Sequence, residues 1–69
     1  MRLSARNQLQ GTVSAIDLGA VMATVTIELL GGQEVVATIT KDSVEALGLA
    51  AGDSVTAVIK STEVIVGKE

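Results

Sequence analysis

No histidine and no cysteine occurs in this chain, and each absence removes a class of chemistry. Without imidazole no side chain titrates near neutral pH of its own accord, and without thiolates neither a zinc centre nor a sulfur nucleophile can be assembled. Disulfide staples are excluded as well. Aromatic residues are also missing, so the core must come from Val, Ile, Leu, Ala and Met, which bury less area per side chain than Phe or Trp. Cations are scarce: five Lys and Arg stand against eight Asp and Glu, a formal net charge of −3. That balance argues against a broad electrostatic hold on nucleic acid or anionic lipid. No apolar run approaches the roughly 20 residues of a membrane span. Arg6, Asn7 and Gln8 interrupt the start before a signal-peptide core could form, so the expectation is a cytoplasmic protein with no membrane partner. No pair of carboxylates suggests acid–base catalysis. Asp17, Glu28, Glu34, Glu45 and Glu63 read as solvated faces, and the chain is not expected to be an enzyme.

What remains is short apolar strand and glycine turn. Gln8 to Asp17 alternates as a first strand with Leu9, Gly11, Val13 and Ala15 on one face. Leu18-Gly19 turns it, and Val21 to Leu29 is the clearest strand, with Val21, Ala23, Val25, Ile27 and Leu29 inward. Gly31-Gly32 predicts a hairpin, followed by a strand from Glu34 to Ile39. Thr40 to Leu49 breaks the alternation and predicts one short helix, with Thr40 as N-cap and Gly48 as left-handed C-cap. A fourth strand runs from Ser54 to Ser61 and a fifth from Glu63 to Val66. The expected fold is therefore all-β: a small OB-like five-stranded Greek-key barrel with one short helix between strands 3 and 4. One domain spans residues 1–69, with no linker or repeat. So short a chain buries a modest share of its surface, yet 48% of its residues are hydrophobic, and the surplus points to subunit interfaces.

Most of the donor chemistry sits in two places. Ser4-Ala5-Arg6-Asn7 opens the chain and Ile59-Lys60-Ser61 lies near its far end. Arg6 offers a planar fork of donors, Lys60 a compact ammonium, and Ser4, Ser61 and Asn7 neutral donors. The set suits a small oxyanion. A polar arm in water is the plainer account of the first segment.

The run Met-Arg-Leu-Ser-Ala-Arg-Asn-Gln-Leu-Gln-Gly-Thr-Val resembles the start of the molbindin, or Mop, domain family of molybdate-binding proteins. The likeness continues through Gly19-Ala20-Val21, Ile39-Thr40, Leu47-Gly48-Leu49, Gly52 and Ile59-Lys60-Ser61, covering essentially the whole chain. It implies binding of molybdate, and of tungstate by similar size and charge, for intracellular storage and homeostasis, with no organic cofactor. It implies oxyanion contacts from Ser4, Arg6, Lys60 and Ser61, with backbone donors around Ala5 and Asn7. It further implies a homohexamer built as a trimer of dimers, with each pocket composite between subunits. For Thr40 and Ser43 simple helix capping is the plainer account, since Asp42 in the same turn would repel a dianion; of the two, Thr40 ends a strand and matches a family position that contacts the ion across an interface. A secondary oxyanion site at Gly19, Ala20, Val21 and Ser43 is the further expectation. Two readings of another class stand beside these: an OB-type nucleic-acid binder, which lacks the aromatic platforms and basic groove such folds use, and an interaction module without oxyanion ligand.

Overall fold

The alternation from Val21 to Leu29 becomes the organising strand of a four-stranded sheet in the computed structural model, which describes residues 1–69. In chain order, β1 (Asn7–Leu18), β2 (Met22–Leu29) and β3 (Glu34–Thr40) form an antiparallel meander, α1 (Lys41–Leu47) follows, and β4 (Ser54–Ile59) returns to pair with β1. The spatial order is β3-β2-β1-β4. The sheet curls into a half-barrel, and α1 packs beside β2 and β3. Val13, Ala23, Val25, Ile27, Val44 and Ala57 make the buried core, and Val44 is the residue through which the helix enters it.

The turns follow from residue type. Leu30-Gly31-Gly32 closes the β2–β3 hairpin with Leu29 N–H on the Gln33 carbonyl at 2.8 Å, and Gly32 takes φ 89°. That is the left-handed position a three-residue hairpin loop requires. Thr40 caps α1 by accepting from the Ser43 N–H at 3.0 Å, and Gly48 ends it at φ 62° with its N–H on the Glu45 carbonyl. Thr40→Ala should cost about 1 kcal/mol of stability, read as a lower urea midpoint.

Two expectations are corrected. Four strands form, not five. Beyond Ile59 the chain makes a single 3₁₀ turn, Ser61–Glu63, and Val64 to Val66 runs on without pairing, leaving Ile65 94% and Val66 89% exposed. Strand propensity expresses itself only against a neighbour, and this chain offers the segment none. The edges of β3 and β4 consequently stay apart across an apolar cleft of about 430 Å³, with 13 hydrophobic residues among the 14 that line it. The second correction concerns β1. Its register with β2 runs Val13↔Ile27 and then Ala15↔Thr26, so Ser14 is the extra residue of a bulge. The bulge shifts the alternation by one place. Ile16 rather than Ala15 packs on the core, and Leu9 and Ala15 are exposed. No helix is long and apolar enough to cross a membrane.

Candidate oxyanion site

The β1–β4 ladder begins at Thr12↔Ser54 and ends at Asn7↔Ile59. One step further out, the two strands release Arg6 and Lys60, so a register set by apolar and polar alternation delivers the two cations to the same end of the sheet. Asn7 reinforces that end, its side-chain Nδ2 donating to the Ile59 carbonyl at 3.2 Å. On the N-terminal arm Gln8 Nε2 donates to the Ala5 carbonyl at 2.8 Å. Ser4 lies at a bend before Arg6, and Ser61 starts the 3₁₀ turn after Lys60.

The donors at this end are available. None of the chain's side-chain hydrogen bonds uses the Arg6 guanidinium, the Lys60 ammonium or the hydroxyls of Ser4 and Ser61. The backbone N–H groups of Ala5, Arg6, Lys60, Ser61 and Thr62 likewise donate to no acceptor in the chain. The start of a 3₁₀ turn leaves its first N–H groups free for the same reason a helix does. A fixed-charge fork, an ammonium, hydroxyls and N–H groups free of partners within the chain are the donor types that a small oxyanion takes.

The remaining candidates gather elsewhere. Gly19, Ala20 and Val21 form the β1–β2 turn, closed by Gly19 N–H on the Met22 carbonyl at 2.8 Å. Met22 pairs with Thr40, and the Lys41 N–H donates to the Val21 carbonyl at 2.8 Å, so this turn and the start of α1 are neighbours. The N–H groups of Ala20 and Val21 have no acceptor in the chain. Thr40 Oγ1 and Ser43 Oγ lie 2.7 Å apart and serve the cap. This second cluster stands at the opposite end of β1. At about 3.3 Å per residue of strand, the two ends of β1 are separated by most of the molecule's 36 Å length. Thr40 therefore belongs with Gly19, Ala20, Val21 and Ser43, and within one chain it cannot reach an ion held by Arg6 and Lys60.

Sequence reasoning passed over Gln8 and Lys41. Gln8 bonds a carbonyl three residues earlier, a spacing visible in the sequence but silent about the backbone bend that makes it productive. Lys41, half-buried beside Thr40, reads in sequence only as helix surface.

A small curled β-sheet with cations and free N–H groups at one end carries donor groups of the kind that bind small anions. Residues 3–66 match the TOBE domain family. Molybdenum-pterin-binding protein 3 of Clostridium pasteurianum is 50% identical over 66 residues, covering 96% of this chain and 97% of that protein. Among solved structures, apo MopII of Clostridium pasteurianum superposes with a TM-score of 0.93 at 45% identity, over 97% of this chain and all of that one. A molybdate-binding protein of Sporomusa ovata gives 0.92 at 48% identity, over 99% of this chain and 100% of that one. The chain belongs to the TOBE domain family, and within it to the Mop-type molbindins.

Proposed function

We propose that this protein binds molybdate, and tungstate through the same donors, as an intracellular store that performs no reaction on the ion. The observation that carries the reading is the end of the β1–β4 register: Arg6 and Lys60 follow its last pair, Asn7↔Ile59, at the same end of the sheet, where backbone N–H groups stay unused within the chain. A tetrahedral dianion pays heavily to leave water. Charge-assisted hydrogen bonds return roughly 1.5–3 kcal/mol each and neutral ones about 0.5–1.5, so several donors fixed in place are needed. Ser4, Arg6, Lys60 and Ser61 are the side chains assigned to the ion, with backbone donors around Ala5 and Asn7.

The functional unit is a homo-oligomer, a hexamer arranged as a trimer of dimers, in the cytoplasm, without nucleic-acid or membrane partners. Supporting self-association are the uncovered apolar cleft between β3 and β4 and the exposed Val64, Ile65 and Val66, apolar surface of the kind that marks interaction sites. Within one protomer Arg6 and Lys60 leave the same end of the β1–β4 ladder; the pocket is composite, formed where the chain-end elements of neighbouring subunits meet, and Thr40 joins it from another copy. The turn at Gly19, Ala20 and Val21, with Ser43, is the secondary site.

Isothermal titration with molybdate, tungstate, sulfate and phosphate tests the reading. Molybdate and tungstate should bind, and sulfate should bind far more weakly, because donors spaced for the larger ion cannot all reach a smaller one. Molybdate at a hundredfold excess over its dissociation constant should stabilise the fold by about 2.7 kcal/mol. Equal affinity for sulfate would refute selection by size.

The name of the Clostridium relative favours a second reading, in which molybdenum arrives carried by a pterin. A pterin ring is usually held by stacking, and this chain has no aromatic side chain to offer. Titration with a pterin lacking the metal should therefore give no heat, and binding there would reinstate the second reading.

A further inference from the structure

Two carboxamides at the ladder end stand in matching relation to the two cations. Gln8 Nε2 donates to the Ala5 carbonyl at 2.8 Å and Asn7 Nδ2 to the Ile59 carbonyl at 3.2 Å. Ala5 O belongs to the peptide that precedes Arg6, and Ile59 O to the peptide that precedes Lys60. In a trans peptide the C=O and N–H point in opposite directions, and the chain has no cis peptide. Drawing each carbonyl toward a carboxamide therefore aims the Arg6 N–H and the Lys60 N–H the other way. Neither N–H donates to an acceptor in the chain. The same bonds occupy the carbonyls, whose lone pairs would repel an oxyanion if the peptides turned over.

We infer that Gln8 and Asn7 are positioning residues of the anion site: each clamps one carbonyl so that the peptide N–H of the following cation is presented to the ion. The inference rests on the oxyanion-binding reading. It gives Gln8 a role and moves the Asn7 side chain from donor to clamp. Arg6 and Lys60 then each bring a side-chain charge and a backbone donor, and the orientation of both is fixed before the ion arrives, which spares the ordering cost on binding.

Gln8→Met keeps the side-chain length and removes the donor. Because Gln8 is exposed, the ion-free melting temperature should barely move. Uniformly ¹⁵N-labelled protein titrated with sodium molybdate, with calorimetry in parallel, reads the effect. In the natural protein the Arg6 and Lys60 amide resonances should both shift. In Gln8→Met the affinity should fall about tenfold, with the Arg6 amide response lost and the Lys60 response kept. Asn7→Leu should give the crossed pattern, losing the response at Lys60 and keeping it at Arg6. Wild-type affinity with an intact Arg6 response in Gln8→Met overturns the inference and leaves the binding reading standing. Equal loss of both responses in both variants also overturns it, since that is general loosening. Absence of any molybdate response in the natural protein removes the binding reading and the inference together. Should Gln8→Met fail to fold, Gln8→Ser carries the same test.

Discussion

Arg6→Ala is expected to weaken molybdate binding by about 10- to 100-fold, the loss of one or more charge-assisted hydrogen bonds worth roughly 1.5–3 kcal/mol each. Lys60→Ala should lose a similar amount, and either change should cut the stabilisation that molybdate confers at a hundredfold excess from about 2.7 to about 1.4 kcal/mol or less. Lowered cationic charge alone is not the cause. Lys68→Ala alters the net charge by the same unit but lies beyond the 3₁₀ turn, in the exposed tail, and should bind normally. Arg6→Lys keeps the charge and sheds the planar fork, so a partial loss there would separate geometry from charge. The double variant carries the sharper content. Two residues released side by side from one register pair should share one ion, and their effects should then fall short of additive. Additive losses in a double-mutant cycle would place Arg6 and Lys60 at separate ions.

Whether a feature could be read from the sequence depended on how local its cause is. The hairpin at Gly31-Gly32, the Thr40 cap and the Gly48 stop each rest on a few adjacent residues whose backbone preferences decide the outcome. Strand β2 was equally legible, because Ala23, Val25 and Ile27 face the core in the period that their spacing announces. The bulge at Ser14 was not. A one-residue slip costs little in the pattern, since Val13 with Ala15 and Val13 with Ile16 both look apolar, and only the partner strand chooses between them. Glu63 to Val66 failed for the complementary reason: its residues suit a strand, but pairing needs a neighbour, and sequence pattern does not count neighbours. At the site, the residue types were legible and the grouping was not. Thr40 was expected at the ion from across an interface, and the register sets it and Arg6 at opposite ends of β1 within one chain, so only an assembled neighbour can bring them to one ion.

Gly11→Ala should be the most damaging single-methyl change in the chain. Gly11 is where β1 passes between its two neighbours, pairing with Leu29 of β2 and Val55 of β4 at once. Its φ is not positive, so conformational freedom is not the reason for glycine here. Space is: an added Cβ would lie 2.6 Å from the Glu28 carbonyl oxygen and 2.7 Å from Ile27 Cγ2. The first obstacle is backbone and the second belongs to a buried core side chain, so neither can rotate out of the way. Relief requires β1 and β2 to part, at a cost of about 3 kcal/mol. A domain of this length has a total stability of roughly 3–10 kcal/mol, so the variant should lose from about a third to nearly all of it and unfold at a much lower urea concentration. Gly67→Ala provides the contrast, since nothing lies within 4 Å of a Cβ there and its φ is not positive; its urea midpoint should match the natural protein's. The effect should also reach the anion, because the ladder that Gly11 helps to seat is the one that ends at Asn7 and Ile59. Saturating molybdate should accordingly recover part of the lost stability in Gly11→Ala, and a urea midpoint for that variant equal to that of Gly67→Ala would refute the steric account.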